Sequence, residues 1–131
     1  MNLSAPGGGD LFDRRELAAL IQNNPQDFLH GIDLPFRLCS PALSLPETTL
    51  LFQDGQGALE GWACLQTPFW TIDLAAREPA RLEEILAAAS LQAERIAGTK
   101  WGHPCWFVTA FEDQTGWIEI FERQDFRCVS F

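Results

Sequence analysis

One acidic residue, Asp73, lies inside the otherwise apolar run formed by residues 69–76. A carboxylate buried alone among apolar side chains is costly, so Asp73 must be ion-paired, hydrogen-bonded or directed into a cavity. Two interpretations follow. Asp73 is a functional carboxylate in a cleft, or it is a structural one that hydrogen-bonds loop amides or closes a turn.

The cysteines are scattered singly, without a C-x-x-C pair that would indicate a zinc site or a redox motif. We expect free thiols that act as small buried apolar side chains. Cys105 is the candidate exception, because Lys100 and His103 nearby would favour its thiolate. His103 and Cys105 alone do not make a metal site, and we expect no bound metal. The four cysteines are Cys39, Cys64, Cys105 and Cys128.

The stretch from Ala75 to Arg81 contains no glycine, although it joins a predicted strand to a predicted helix. Such junctions often bind phosphate through successive backbone N–H groups. Here Pro79 has no N–H, and Glu78 places a negative charge where an anion would arrive. Arg77 and Arg81 are the features that still favour an anion.

The middle of the chain predicts three successive strands and a long helix. Thr48–Gln53 and Ala58–Gln66 read as a β-hairpin, because the turn between them contains Asp54 and two glycines. Phe69–Ala76 reads as a buried third strand. Pro79 fits the first turn of a helix that ends near Gly98. Its inward positions are Leu82, Ile85, Leu86, Ala89, Ala93 and Ile96.

The C-terminal third predicts a strand over Trp106–Phe111, parallel to Phe69–Ala76 and connected to it by the long helix, which gives a mixed sheet. Thr115 is a candidate cap for a short helix that contains Trp117, Ile118 and Phe121. Phe126–Phe131 reads as a last strand.

Upstream, an amphipathic helix follows Asp10 and is interrupted by Pro25, with Leu17, Leu20 and Ile21 facing inward. A further turn is expected up to Gly31. Leu34–Ser40 reads as an edge strand, because Pro35 and Pro41 bracket it.

The composition predicts one domain over residues 10–131 after a flexible N-terminus, residues 1–9. A formal net charge of −9 argues against nucleic-acid and anionic-membrane partners. We find no apolar run of membrane-spanning length and no secretory signal, so we expect a cytoplasmic location.

The element order resembles the GCN5-related N-acetyltransferase (GNAT) superfamily. Leu59-Glu60-Gly61-Trp62-Ala63 is similar to the family's second hairpin strand, and residues 120–127 (IFERQDFR) are similar to its "LYEKLGFR" ending. The resemblance implies an α/β fold in three layers, with an antiparallel meander, a crossover helix and a C-terminal short helix plus strand, with or without the family's last strand.

The resemblance also implies a site. The family's glycine-rich loop for the acetyl-CoA pyrophosphate would fall on residues 75–81, where the glycines are missing. The family's tyrosine that acts as the general acid would fall on Phe121, which has no proton to donate. Asp73 would be the general base. If acetyl-CoA or CoA binds, the contacts would come from Leu74, Ala75, Ala76, Arg77 and Arg81.

Two functions are consistent with these features. The first is a degenerate acetyltransferase-like domain, resembling the N-terminal half of tandem GNAT proteins, that requires no cofactor and serves as an interaction or regulatory module. It would pair with itself as a homodimer or with a catalytic GNAT domain. The second is an active N-acyltransferase that moves an acetyl group from acetyl-CoA to an amine of a small molecule or protein. A protein that binds a small ligand in the same cleft without turnover would share this second site.

Overall fold

The centre of the structure is an antiparallel sheet with helices on both faces. The computed structural model describes residues 2–3, 14–23, 34–67 and 69–129. The sheet order is β1-β2-β3-β4, and each neighbouring pair is antiparallel. The strands are β1 (Asn2–Leu3), β2 (Thr49–Gln53), β3 (Leu59–Gln66) and β4 (Thr71–Ala76).

The predicted hairpin and third strand are confirmed, with boundaries within two residues of those expected. The hairpin turn is held by the Asp54 carboxylate, which accepts hydrogen bonds from the backbone N–H groups of Gln56 (2.8 Å) and Ala58 (2.9 Å). Gly57 has a φ of 85°, a conformation that glycine adopts without strain.

The predicted long helix is also confirmed. A 3₁₀ turn (Pro79–Arg81) leads into α3 (Leu82–Ile96), and Gly98 follows it with a φ of 81°. We call the sheet side covered by α3 the α3 face. On that face, alternate strand residues pack against the inner side of the helix. This cluster contains Leu50, Phe52, Ala63, Leu65, Ile72, Leu74 and Ala76 from the sheet, and Leu82, Ile85, Leu86, Ala89 and Ile96 from α3.

The opposite side, the α1 face, is covered by α1 (Arg14–Asn23), and the predicted inward residues Leu17, Leu20 and Ile21 are buried there. Trp62 from β3 lies in the same cluster, and its indole N–H donates to the Leu17 carbonyl over 3.0 Å. This helix prediction is therefore confirmed.

The prediction of an edge strand over Leu34–Ser40 is wrong. The segment forms a short helix, α2 (Leu34–Leu38), followed by a 3₁₀ turn (Pro41–Ser44). Pro35 sits in the first turn of α2, where its missing N–H is tolerated. The hydroxyl of Ser40 accepts from the Ala42 N–H and caps the next turn. The two prolines therefore mark helix starts rather than strand boundaries.

The C-terminal third departs most from expectation. Trp106–Phe111 is not a strand: within the described residues, parallel pairing is limited to an isolated bridge between Thr71 and Phe107, and the sheet is not mixed. The predicted short helix is confirmed as α4 (Thr115–Arg123), although its N-cap residue is Gln114 rather than Thr115. Residues 126–129 form no strand. No residue from 97 to 129 is fully buried, so this segment lacks the two-sided burial that would complete a sheet.

Other expectations are covered only in part. Asn2–Leu3, inside the segment predicted to be flexible, pair with Phe52 and Gln53. The turn expected up to Gly31 and the residues after Val129 lie outside the described part of the chain. Among the helices described, none has the length and apolar character needed to cross a membrane.

Candidate functional site

Asp73 lies on the α1 face of β4, beside Cys64 of β3 in the strand register. Its carboxylate pairs with Arg37 of α2, with 3.3 Å between Arg37 Nη1 and Asp73 Oδ1. The same Nη1 donates to the Thr71 hydroxyl over 2.7 Å. Arg37 is 5% exposed and Asp73 2% exposed, so the pair is closed off from solvent. Of the alternatives for Asp73, the structure supports the ion-paired one.

Further contacts fix the position of Arg37. Its guanidinium lies 4.3 Å from the centre of the Phe69 ring, a cation–π contact. Its backbone carbonyl accepts a hydrogen bond from Gln66 Nε2 over 3.0 Å. Sequence reasoning missed Arg37 because Leu34–Ser40 was predicted as a strand. The single acidic residue in an apolar run was nonetheless a signal that Asp73 has a polar or cationic partner elsewhere in the chain.

The charge of Asp73 also affects its neighbour. Burial raises the pKa of the Cys64 thiol far above its ordinary value, and the Asp73 carboxylate raises it further. Cys64 is therefore an unreactive apolar side chain, as predicted. The prediction of burial is wrong for Cys39 and Cys128, which are exposed, and Cys105, the candidate exception, is exposed as well.

Cys105 was the candidate reactive thiol because of its neighbours Lys100 and His103. The backbone N–H of Cys105 donates to Nδ1 of His103 over 3.2 Å. The imidazole therefore engages the backbone of Cys105. The Lys100 ammonium lies over the Trp101 ring, 4.9 Å from its centre. No group of three or more potential metal-ligating side chains occurs within the described residues.

The two arginines at the junction between β4 and α3 already have protein partners. Arg77 donates from Nη2 to the Leu59 carbonyl over 2.8 Å. Arg81 forms an exposed ion pair with Glu84, with 3.3 Å between Nη1 and Oε1. The Arg81 N–H donates to the Glu78 carbonyl within the 3₁₀ turn. The junction thus offers an anion few of the backbone donors that phosphate sites use.

Backbone pairing shows which groups of β4 face away from β3. Arg77 N–H donates to the Glu60 carbonyl over 2.8 Å. Since antiparallel hydrogen bonds involve every second residue, Asp73 and Ala75 also direct their backbone groups toward β3, and Leu74 and Ala76 direct theirs away. Within the described residues, the outward N–H groups of Leu74 and Ala76 meet no acceptor. We call these outward backbone groups the β4 edge.

One end of the β4 edge is closed by Phe107. Ile72 N–H donates to the Phe107 carbonyl, and Phe107 N–H donates to the Trp70 carbonyl, both over 2.9 Å. Trp70 has a φ of 55°, an uncommon conformation for a bulky residue. Its indole stacks on His103, with ring centres 4.0 Å apart, and Trp106 packs against it edge-on. This aromatic cluster anchors the C-terminal third to the start of β4.

The residues expected to bind a cofactor therefore share one strand and the turn after it. Leu74 and Ala76 present the unpaired backbone edge, while Ala75 faces the core on the α1 face. Phe121, which stands where the resemblance places an acid, packs against Trp117 and Phe126 with ring centres 5.2 and 6.1 Å apart. It is an aromatic packing residue. The site combines an ion-paired carboxylate, two engaged arginines and an unpaired strand edge.

Comparison with known proteins does not extend this description. No protein-family model matches the sequence, and neither the curated proteins nor the solved structures contain a significant match.

Proposed function

We propose that this chain is a degenerate acetyltransferase-like domain that acts as an interaction or regulatory module. The observation that carries the proposal is the buried Arg37–Asp73 pair at the centre of the candidate site. A general base needs access to the proton that it removes. Asp73 is instead held by a guanidinium and screened from solvent.

Three further features support a binding role over catalysis. Phe121 has no proton to donate to a leaving thiolate. Arg77 and Arg81 are engaged by a carbonyl and a carboxylate, so they are poorly available to a pyrophosphate. The net charge of −9 opposes the approach of a polyanionic cofactor. Each of these would have to be compensated in an active enzyme.

An N-acyltransferase is the second candidate, and the β4 edge is the observation that favours it. The pantetheine arm of acetyl-CoA carries amide groups that pair with a strand edge through backbone alone. Leu74 and Ala76 offer such an edge. Pairing of this kind does not require the glycine-rich loop.

Calorimetric titration with acetyl-CoA and with CoA at low salt separates the two candidates, because weak electrostatic binding is not screened there. The interaction module predicts no saturable heat at millimolar ligand. Saturable heat with a micromolar constant that Arg77→Ala or Arg81→Ala abolishes would favour the enzyme. Arg95→Ala is the matched control, because Arg95 is exposed at the opposite end of α3.

The module's partner is a second copy of this chain or a catalytic acetyltransferase domain. Size-exclusion chromatography with light scattering tests the first option. We expect a mass that rises with concentration toward that of a dimer. A constant monomer mass at tens of micromolar would eliminate self-association and leave the catalytic domain.

A further inference from the structure

We infer that the β4 edge receives one extended polypeptide segment of a partner protein, which adds to the sheet between β4 and the residues that follow Phe107. The inference rests on the proposed function and names the binding surface of the interaction module. It assigns a role to backbone groups that the fold itself leaves unpaired.

The β4 edge has a regular pattern of backbone donors and acceptors. Leu74 and Ala76 both direct N–H and C=O groups away from β3, and two residues of a strand span about 7 Å. An added polypeptide strand presents complementary groups at the same spacing. Buried backbone groups are almost always hydrogen-bonded in folded proteins. Two residues whose outward N–H and C=O groups make no hydrogen bond therefore indicate an absent partner.

The β4 edge is largely shielded from solvent. Leu74 is 8% exposed and Ala76 is 5% exposed, so the edge is screened rather than open. Side chains of the C-terminal third pack against the α3-face cluster to which Leu74 and Ala76 belong. A screened edge suits a single extended chain better than the edge of another folded sheet. The packed residues include Trp106, Val108, Trp117, Ile120, Phe121 and Phe126.

The C-terminal third is also the part of the structure best suited to move. No residue from 97 to 129 is fully buried. A surface ion pair joins α4 to α3, with 2.8 Å between Arg123 Nε and Glu83 Oε1. Segments whose apolar side chains are only partly buried open at lower free energy than the core. The segment can therefore shift and admit a strand while Phe107 stays bonded to β4.

The residues at the end of the β4 edge discriminate between two kinds of ligand. Both a polypeptide and a pantetheine arm supply amides. In CoA the pantetheine is attached to phosphates and a nucleotide. Where β4 ends, Glu78 is negatively charged and Pro79 has no N–H to donate to a phosphate. An uncharged or apolar peptide meets neither obstacle. The chemistry of the site thus favours a polypeptide.

Amide exchange of the free protein, followed by nuclear magnetic resonance, is the first test. We expect the Leu74 and Ala76 amides to exchange at least about tenfold faster than those of Asp73 and Ala75. The latter are matched controls, because they lie on the same strand and face β3. Equal protection of all four amides would mean that the edge is already paired, and the inference would fail.

The second test uses a displayed library of random heptapeptides selected on the full chain. Selected peptides should slow exchange of the Leu74 and Ala76 amides, and the same peptides with N-methylated alternate residues should not. Ala76→Pro removes one outward donor and should weaken binding about tenfold or more. Protection of the Leu74 and Ala76 amides is measured on the unsubstituted chain, so that result stands whether or not the proline variant folds.

The remaining outcomes separate the inference from the proposed function. Peptides that bind without protecting Leu74 and Ala76, or a selection that yields none, would overturn the strand site but leave an interaction module that uses another surface. Protection by pantetheine or CoA and not by peptides would overturn both and favour the enzyme.

Discussion

At the scale of single residues, the Arg37–Asp73 pair determines how the candidate site can be interpreted. Burying two charges is costly, and their attraction offsets that cost only when additional hydrogen bonds are made. Here Thr71 supplies one of these bonds to Arg37. The pair connects α2 to the centre of the sheet, so its loss would affect folding rather than a proton transfer.

A double-variant cycle tests this interpretation. Arg37→Met leaves a buried carboxylate uncompensated and should lower the free energy of unfolding by about 3–5 kcal/mol. Combined with Asp73→Val, the loss should be smaller than the sum of the single losses by roughly 1–3 kcal/mol. Denaturant unfolding measures all four proteins. Strictly additive losses would show that the two side chains do not interact.

Gly61 makes a second prediction at this scale. A Cβ atom at Gly61 would lie 2.5 Å from Ile85 Cδ1 of α3 and 3.0 Å from the Ala75 carbonyl oxygen. Gly61→Ala should therefore destabilise the protein by roughly 1–3 kcal/mol through overpacking. Gly55→Ala is the control, since a Cβ there meets nothing within 4 Å. Equal unfolding midpoints for the two variants would contradict the prediction.

At the scale of elements, local chemistry predicted the hairpin, β4, α1 and α3. In each of these elements, the turn residues or the spacing of apolar residues in the sequence match the residues that the structure buries. Leu34–Ser40 could not be assigned in this way, because a short apolar segment with prolines fits an edge strand or a helix start equally well. The pairing of Arg37 with Asp73 was unpredictable for the same reason. The need for a partner to Asp73 followed from the sequence, but its identity required the fold.

The C-terminal third shows a different limit. Trp106–Phe111 has the composition of a strand, yet only Phe107 pairs with β4. Residues 106–111 would form a strand only if β4 paired with them along their whole length, and this pairing stops after one bridge. The unpaired β4 edge was therefore not visible in the sequence.

The hairpin turn gives a pH prediction. Hydrogen bonds from the Ala58 and Gln56 N–H groups hold the pKa of Asp54 below its ordinary value. A lowered folded-state pKa contributes stability that is present above the unfolded-state pKa and is lost as pH falls through the folded-state value. Asp54→Asn keeps an acceptor oxygen and removes the charge. It should be less stable than the original chain at pH 7 by thermal unfolding.

The difference between the two proteins should disappear at acidic pH, where Asp54 is protonated. Other acidic groups titrate in both proteins and cancel in the comparison. A difference that stays constant from pH 7 down to pH 2 would assign the effect to the side-chain shape instead of the charge.

At the scale of the whole molecule, stability is unevenly distributed. Both faces of the sheet have a fully buried cluster, whereas residues 97–129 contribute only partly buried side chains. Seven aromatic residues in this segment are partly or largely exposed, although aromatic side chains generally stabilise a protein most when they are buried in its core. They are Trp101, Trp106, Phe107, Phe111, Trp117, Phe121 and Phe126.

This distribution predicts that α4 opens before the sheet unfolds. Native-state hydrogen exchange should give its amides a lower opening free energy than those of β3 and α3. The hydrogen bond with Arg123 lowers the pKa of Glu83, so this link between α4 and α3 is complete above the ordinary pKa of a glutamate and is lost as pH falls through the folded-state value. Glu83→Gln should increase α4 exchange at pH 7 and leave β3 unchanged. Exchange of α4 only through global unfolding would show that the C-terminal third is an integral part of the core, and would remove the mobility that strand addition at β4 requires.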